Sequence, residues 1–293
     1  MLRPVTFTLD LEDLRTSPRQ EPRVEMVTHH LLDRLAELGV RGTVFCVAEL
    51  ADRYPKLIRR GADEGHEVAV PGLQHTPLDH LAPATSRRRT IEAKALLEDA
   101  AEAPVVGFRA PQFSLVPETS WAPEVLSELG FTYSSSVLPT ASSLYGWPGA
   151  PRTPFRWASG LVELPCPLVS VAGHDIAFLG GAYLRILPSV LRRKGLADAD
   201  ARAVLWTYCH PWEFDPDERF YVFEHGGVAA SVVGWINRKG MMGRIERLLE
   251  VGVGAPLGEV VKTLRDVPVV EPVRSPTRRR GLQGVLRRRS DAA

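Results

Sequence analysis

The chain has little cysteine and almost no net charge. Its 293 residues include three cysteines, Cys46, Cys166 and Cys209, which are widely spaced and lie in apolar runs. An odd number at such spacing predicts reduced core residues rather than a disulfide framework or a zinc clamp. A formal charge of +1 gives no overall attraction to nucleic acid or to an anionic membrane. We therefore expect a cytoplasmic protein without a nucleic-acid partner.

Long hydrophobic runs are also lacking. No apolar segment reaches the ~18 residues that a membrane-spanning helix requires. The opening sequence MLRPVTFTLD passes directly into a strand pattern without the apolar core of a secretory signal. We expect neither a transmembrane segment nor a leader. With 44% hydrophobic and 24% charged residues, the composition is that of an ordinary globular α/β protein.

Short apolar strand patterns alternate with segments of helical period. Residues 5–11 and 42–48 and the run HEVAV have strand patterns, and the apolar spacing over residues 24–38 predicts a helix that ends at Gly39. Further helices are predicted near residues 50–61, 86–101, 121–129, 187–194 and 242–249. Such alternation predicts parallel strands joined by helical crossovers, in a doubly wound sheet or a (β/α) barrel. In both folds, chemistry collects at the carboxyl ends of the strands.

Polar residues follow the predicted strands where a shared rim would form. They are Asp10, Glu12, Asp13, His75, Arg109, Ser134, Ser135, Ser136 and His210. Each of these residues could have a purely structural role, since a strand-end Asp is often a helix cap and a lone His is often a core residue. Their delivery to one rim from separate strands instead predicts a functional site.

Five motifs occur in a fixed order along the chain. They are TLDLED (Thr8–Asp13), GHEVAVPGLQH (Gly65–His75), GFRAPQFS (Gly107–Ser114), FTYSSSV (Phe131–Val137) and YCHPWEFDP (Tyr208–Pro216). Together they resemble the polysaccharide deacetylase family, which is homologous to the nodulation-factor chitooligosaccharide deacetylase and is also called carbohydrate esterase family four. The last motif, with GGAYLRILP (Gly180–Pro188), is similar to a branch linked to bacterial exopolysaccharide loci. The resemblance covers nearly all of residues 5–255 and implies a distorted (β/α) barrel with about seven parallel strands.

The resemblance also implies an activity, the removal of an acetyl group from an N-acetylated sugar or glycan. In that family a divalent metal, usually zinc, is bound by one carboxylate and two histidines and binds the attacking water. By position, Asp10 matches the general base, Arg109 matches its charge partner, and His210 matches the general acid. The metal carboxylate falls on Glu12 or on Asp13.

The same comparison of motifs places His75 at one metal histidine and Pro111, Tyr208 and Trp212 in the pocket wall. Pro71 stands where the family has its first metal histidine, and proline offers no side-chain donor. Ser134 stands where the family usually has an aspartate. Because Pro71 replaces a metal histidine, the sequence does not determine whether the site binds a metal ion.

Three hypotheses follow. A divalent ion could still bind through Glu12 or Asp13 and His75, with Gln74, His80 or water completing the site. The predicted base and acid could instead activate water without a metal, as in relatives that hydrolyse amides in small molecules. Alternatively, catalysis has been lost and the rim only binds glycan.

Two loops and the C-terminus are the remaining features. Residues 138–160 are rich in proline and glycine and contain Tyr145, Trp147, Phe155 and Trp157, which predicts either a sugar-stacking platform that includes Trp147 or rings that attach the loop to the barrel. Residues 218–240 are a second candidate lid.

The arginine-rich C-terminus predicts a boundary between a barrel domain, residues 1–268, and a disordered basic tail, residues 269–293. Such a tail could contact anionic lipid headgroups and bring the protein to a lipid-linked glycan.

Overall fold

The computed structural model describes residues 3–13, 23–222 and 227–270, in which strands and helices alternate. The strands are β1 (Val5–Thr6), β2 (Thr8–Leu11), β3 (Thr43–Cys46), β4 (Glu67–Ala69), β5 (Gly107–Phe108), β6 (Tyr133–Ser134), β7 (Phe155–Trp157), β8 (Val162–Glu163), β9 (Leu168–Val171), β10 (His174–Ala177), β11 (Leu205–Trp206) and β12 (Val269–Val270). The helices are α1 (Val24–Glu37), α2 (Glu49–Arg53), α3 (Pro55–Asp63), α4 (Pro83–Ala101), α5 (Ala122–Glu128), α6 (Gly181–Ile186), α7 (Ser189–Asp198), α8 (Gly227–Trp235), α9 (Met241–Leu249) and α10 (Leu257–Thr263). Short 3-10 turns lie at Leu78–His80, Pro111–Phe113, Pro117–Thr119, Pro211–Phe214 and Arg238–Gly240.

Parallel pairing joins the strands that carry the predicted rim. Ladders connect β1 with β11, β2 with β3, β3 with β4, β5 with β6, and β6 with β8. Single parallel bridges, Val70 with Phe108 and Leu9 with Cys209, link β4 to β5 and β2 to β11. The order is β11, β1/β2, β3, β4, β5, β6, β8, which is a distorted (β/α) barrel, as predicted.

The core explains why these segments form these elements. All four residues of β3 are buried, as expected for a parallel strand covered on both faces. Helix α1 buries its apolar stripe, and Gly39, with φ of +63°, reverses the chain just beyond its end, where a left-handed residue suits glycine best.

Several predicted boundaries were wrong. The helix predicted over residues 50–61 is two helices, because Pro55 disfavours helical geometry at Tyr54, whose φ is −132°. The predicted lid over residues 218–240 contains α8, and α6, α10 and the β9–β10 hairpin were not predicted. No helix in the described ranges is long and apolar enough to cross a membrane.

The barrel also extends past its predicted end. β12 pairs in parallel with β7, Val269 opposite Arg156 and Val270 opposite Trp157, so strand pairing continues past residue 268, where the boundary is predicted. Two β-branched residues suit an added strand. The rest of the predicted tail, residues 271–293, lies outside the described residues.

Candidate active site

One cavity of about 360 Å³ opens at the carboxyl ends of β2, β5 and β11. Of the residues singled out in the sequence, its lining includes Asp10, Glu12, Pro71, His75, Arg109, Pro111, Tyr208 and His210. The strand order brings these side chains together from distant parts of the chain. Five of the nine residues predicted for the rim thus share one cavity, whereas Asp13, Ser134, Ser135 and Ser136 are not among its lining in the described part of the chain.

Arg109 fixes the position of Asp10. Its Nη1 donates to Asp10 Oδ1 at 2.5 Å and its Nε donates to Ser135 Oγ at 3.0 Å. The guanidinium lies between the rings of Phe45 and Trp206, 3.8 and 4.3 Å from their centroids. Because Arg109 occupies Oδ1, the other oxygen of Asp10 remains for the cavity.

His210 faces the carboxylates from the opposite side. Its Nε2 lies 3.9 Å from Asp10 Oδ2 and 3.5 Å from Glu12 Oε1. The ring stacks on Trp212, with centroids 4.3 Å apart and planes 15° apart. This stacking places Trp212 behind the imidazole.

A buried ion pair supports the far side of the His210 ring. Glu213 Oε2 accepts the backbone N–H of His210 at 3.0 Å and lies 3.4 Å from Nδ1, while Oε1 accepts from Arg185 Nη2 at 3.0 Å. Burial lowers the pKa of His210, but the hydrogen bond and charge of Glu213, with the charges of Glu12 and Asp10, outweigh it and raise the pKa to about 9. The imidazole is therefore protonated at neutral pH and can donate a proton.

Glu213 and Arg185 are site residues that the sequence did not reveal. Both lie in quoted motifs, YCHPWEFDP and GGAYLRILP, but neither follows a barrel strand directly. The available signal was that Pro211 follows His210 directly and that Glu213 lies three residues after His210.

The predicted metal ligands do not form a complete set. Glu12 Oε2 lies 2.9 Å from His75 Nε2, and Pro71 lines the same cavity. Across the described ranges, no group of three or more His, Cys, Asp or Glu side chains is placed to hold a metal ion. Asp13 is not among the cavity-lining residues that the structure describes. One carboxylate and one imidazole do not fit a three-ligand catalytic zinc site.

The proposed completing ligands also lie elsewhere. Gln74 Nε2 donates to Glu49 Oε1 at 2.5 Å, and neither Gln74 nor His80 lines the cavity among the described residues. Burial acts to raise the pKa of Glu12, but His75 and His210 outweigh burial and lower it. Glu12 is thus a carboxylate between two imidazoles.

The prediction that Trp147 binds substrate is wrong. Its side chain is 6% exposed and packs against Trp157, with ring centroids 5.6 Å apart, and Trp157 packs against Phe155 at 4.9 Å. These rings attach the loop to the barrel, the alternative that the sequence left open. Composition alone cannot distinguish a buried aromatic cluster from an exposed platform. Leu144 lines the cavity from this loop instead.

Strained backbone lies beside the same cavity. Gln112 and Phe113, which follow Pro111, have φ of +56° and +58°, and both line the cavity. Left-handed residues other than glycine cost on the order of 1–2 kcal/mol each. Strain of this kind concentrates at functional sites.

Sequence comparisons agree with the geometry. Residues 6–134 match the polysaccharide deacetylase family, and residues 135–253 match a domain of unknown function (DUF3473). Over 114 residues the chain is 35% identical to a chitooligosaccharide deacetylase of Sinorhizobium fredii, an alignment that covers 34% of this chain and 53% of the relative. The chain thus spans about half the length of this curated relative.

Solved structures share the fold over most of the chain. A Mycobacterium smegmatis protein named as a polysaccharide deacetylase has a TM-score of 0.55 at 21% identity, covering 89% of this chain and 94% of that one. A Pseudomonas aeruginosa PAO1 protein of the same name has a TM-score of 0.55 at 18% identity, covering 88% and 89%. An allantoinase has a TM-score of 0.53 at 14% identity, covering 92% and 87%. The polysaccharide deacetylase match thus covers residues 6–134, and the fold of these solved structures is shared over most of the chain.

Proposed function

We propose that this protein is a hydrolase that removes an acyl group, acetyl in the simplest case, from the amide nitrogen of an N-acylated sugar or glycan. One observation carries the proposal: the carboxylate of Asp10 and Nε2 of His210 lie 3.9 Å apart at one cavity of small-molecule size. A base and an acid that face the same volume can act on the two sides of one amide bond.

The reaction uses a water nucleophile. Asp10 accepts a proton through Oδ2 as the water oxygen attacks the carbonyl carbon. The C–N bond then breaks as protonated His210 donates from Nε2 to the leaving nitrogen, which gives a free amine and a carboxylic acid. Transfer of the proton from Asp10 back to the imidazole restores both groups.

Neighbouring groups prepare both residues for these steps. Arg109 orients Asp10 from the side away from the water, and Glu213 keeps the imidazole protonated from the side away from the substrate. No step passes through a metal ion, because the donor set does not fit a three-ligand site.

The decisive experiment combines Asp10→Asn and His210→Ala with an acetate-release assay on N-acetylglucosamine oligomers. We expect each variant to lower kcat by roughly 10²–10⁴-fold while Tm stays close to that of the unchanged protein. Asp13→Asn is the matched control, since it removes a neighbouring carboxylate that does not line the cavity, and it should retain activity. A lower Tm with unchanged kcat in the first two variants would assign them a structural role instead.

A second candidate function is glycan binding without catalysis, which the proline at position 71 favours. Elemental analysis of the same preparation separates the cases. Acetate release without bound metal supports the mechanism above, and acetate release that requires bound metal supports a site rebuilt around Glu12 and His75. Oligomer binding without acetate release supports the silent protein.

The compartment is a further part of the proposal, and we place the protein in the cytoplasm. Cys46, Cys166 and Cys209 are buried free thiols, and burial raises the pKa of each. Three unpaired thiols support a reducing compartment. Cell fractionation with an antibody to the chain tests this placement, and recovery from a periplasmic fraction would contradict it.

A further inference from the structure

An exposed apolar surface lies beside the mouth of the cavity. We call it the apolar face, and it consists of Ile186, Val190, Val228, Val232, Val233 and Ile236, which are 44–66% exposed. Its centre is α8, whose nine residues, GVAASVVGW, carry no charge. Clustered exposed side chains of this kind mark an interaction surface rather than a core.

Hydrogen bonds between side chains and backbone join two of the elements that carry the apolar face. Arg185 Nη1 donates to the carbonyls of Val233 at 3.0 Å and Ile236 at 2.6 Å, and Asn237 Nδ2 donates to the carbonyl of Arg185 at 2.9 Å. These bonds join α6 to the end of α8. Tyr183, one turn before Ile186 on α6, is 39% exposed and lines the cavity. Helix α6 therefore carries both a residue of the cavity lining, Tyr183, and a residue of the apolar face, Ile186.

Four arginines flank the apolar face, and we call them the arginine rim: Arg192 and Arg193 on α7, and Arg244 and Arg247 on α9. Arg244 Nη1 donates to the carbonyl of Asn237 at 3.3 Å, next to the apolar face. Burial and then the charges of Arg244, Arg247 and Arg193 lower the pKa of Arg192. Arg192 Nη1 also donates to the carbonyls of Leu184 at 3.4 Å and Leu187 at 2.5 Å, which places it against α6. The charges of the other three arginines act on this guanidinium, so the group as a whole would attract an anionic surface.

We propose that the apolar face and the arginine rim dock on a bilayer that contains anionic lipids. An uncharged helix with exposed valines, bordered by arginines, has the composition of an interfacial membrane-binding segment, and the arginines would face lipid phosphates. Trp235, the last residue of α8, packs against Tyr221 with ring centroids 4.8 Å apart, and aromatic residues of this kind suit the membrane–water interface. Docking directs the cavity mouth towards lipid headgroups, where an acylated sugar on a lipid carrier would lie. Membrane docking requires no catalysis, so a test of docking and a test of the proposed activity can give different outcomes.

Vesicle flotation with the full chain tests the proposal. The probes are vesicles of phosphatidylcholine alone and of phosphatidylcholine mixed with phosphatidylglycerol. We expect binding to the mixed vesicles and at least a roughly tenfold weaker partition for Val232→Asp combined with Val233→Asp. Arg193→Glu and Arg247→Glu should each weaken partition roughly fivefold or more.

Exposed positions on α4 supply matched controls. Ile91→Asp and Arg88→Glu make the same chemical changes on another surface and should float like the unchanged protein. Equal flotation of the α8 double variant would overturn the proposal, as would binding that disappears only when residues 271–293 are removed. A chain that binds no vesicles and is a dimer until Val232 and Val233 are replaced would assign the apolar face to a second copy.

Discussion

At the scale of single residues, Glu213 has the largest effect on the chemistry proposed for His210. It contacts the imidazole and the backbone of His210 with one oxygen and Arg185 with the other. Glu213 and Arg185 are almost fully buried, so the carboxylate keeps its charge through this pair rather than through water.

Glu213→Gln tests this positioning role. We expect kcat/KM of the unchanged protein to fall as pH rises through about 9, the pKa of His210, because the acid form is then lost. In Glu213→Gln this alkaline limb should move towards the ordinary histidine value of 6.5. The pH profile of kcat/KM measures the shift.

The comparison variant is Glu163→Gln. Glu163 is another buried carboxylate, and its hydrogen bonds come from the backbone N–H groups of Ser136 and Val137 rather than from the imidazole. Both changes should lower stability, since each weakens hydrogen bonds to a buried carboxylate. Only Glu213→Gln should move the alkaline limb. An unmoved limb in a folded Glu213→Gln protein would show that Glu213 is merely structural.

The residues that the sequence revealed and those that it missed differ in how they reach the site. Asp10, Arg109 and His210 lie at or just beyond the carboxyl ends of barrel strands, so the rule that strand ends share a rim was sufficient to group them. Arg185 arrives from α6, whose position beside Glu213 depends on tertiary packing that no local pattern encodes. The prediction for Trp147 failed because a local pattern of aromatic residues does not determine which side of a loop is buried.

At the scale of elements, the start of α6 shows how closely the site is packed. A Cβ at Gly181 would overlap the carboxylate of Glu213, and one at Gly180 would overlap the ring of Tyr208. The pair of glycines lets α6 approach the site closely enough for Arg185 to reach Glu213. The sequence could show the glycines but not what approaches them.

Gly181→Ala is therefore expected to displace Glu213. Overpacking of this kind costs roughly 1–3 kcal/mol of unfolding free energy, and kcat should fall because His210 loses its partner. Urea denaturation and the acetate assay measure the two effects. Gly61→Ala on α3 is the control, since a Cβ there meets no atom within 4 Å, and it should stabilise the protein by roughly 0.5–1 kcal/mol. If the two variants behaved alike, the packing argument would be wrong.

Helix boundaries were predictable where one face of the helix is buried. The stripe of α1 packs on the barrel, so its apolar residues recur with the helical period. Helix α8 buries only Ser231 and has no such stripe, so the glycines of residues 218–240 led to the prediction of a lid instead of a helix. Helix α8, which the sequence pattern predicted poorly, is thus the segment that we assign to the membrane.

At the scale of the whole molecule, α6 links the candidate active site to the apolar face, because Tyr183 lines the cavity and Ile186 belongs to the apolar face. If docking positions the cavity over the bilayer, the benefit applies only to substrates fixed to that bilayer. Replacing Val232 and Val233 with aspartate leaves the cavity lining intact. The two proposals together therefore predict a defect that depends on the substrate.

For an N-acetylated sugar on a lipid anchor in anionic vesicles, kcat/KM of the Val232→Asp, Val233→Asp protein should fall roughly tenfold, in line with its weaker partition. For soluble N-acetylglucosamine oligomers it should equal that of the unchanged protein, because substrate then reaches the cavity from solution. Ile91→Asp should match the unchanged protein on both substrates. An equal loss on both would mean that the substitutions act through Arg185, which donates to α8 carbonyls and to Glu213, and that the apolar face supports the acid rather than the membrane contact.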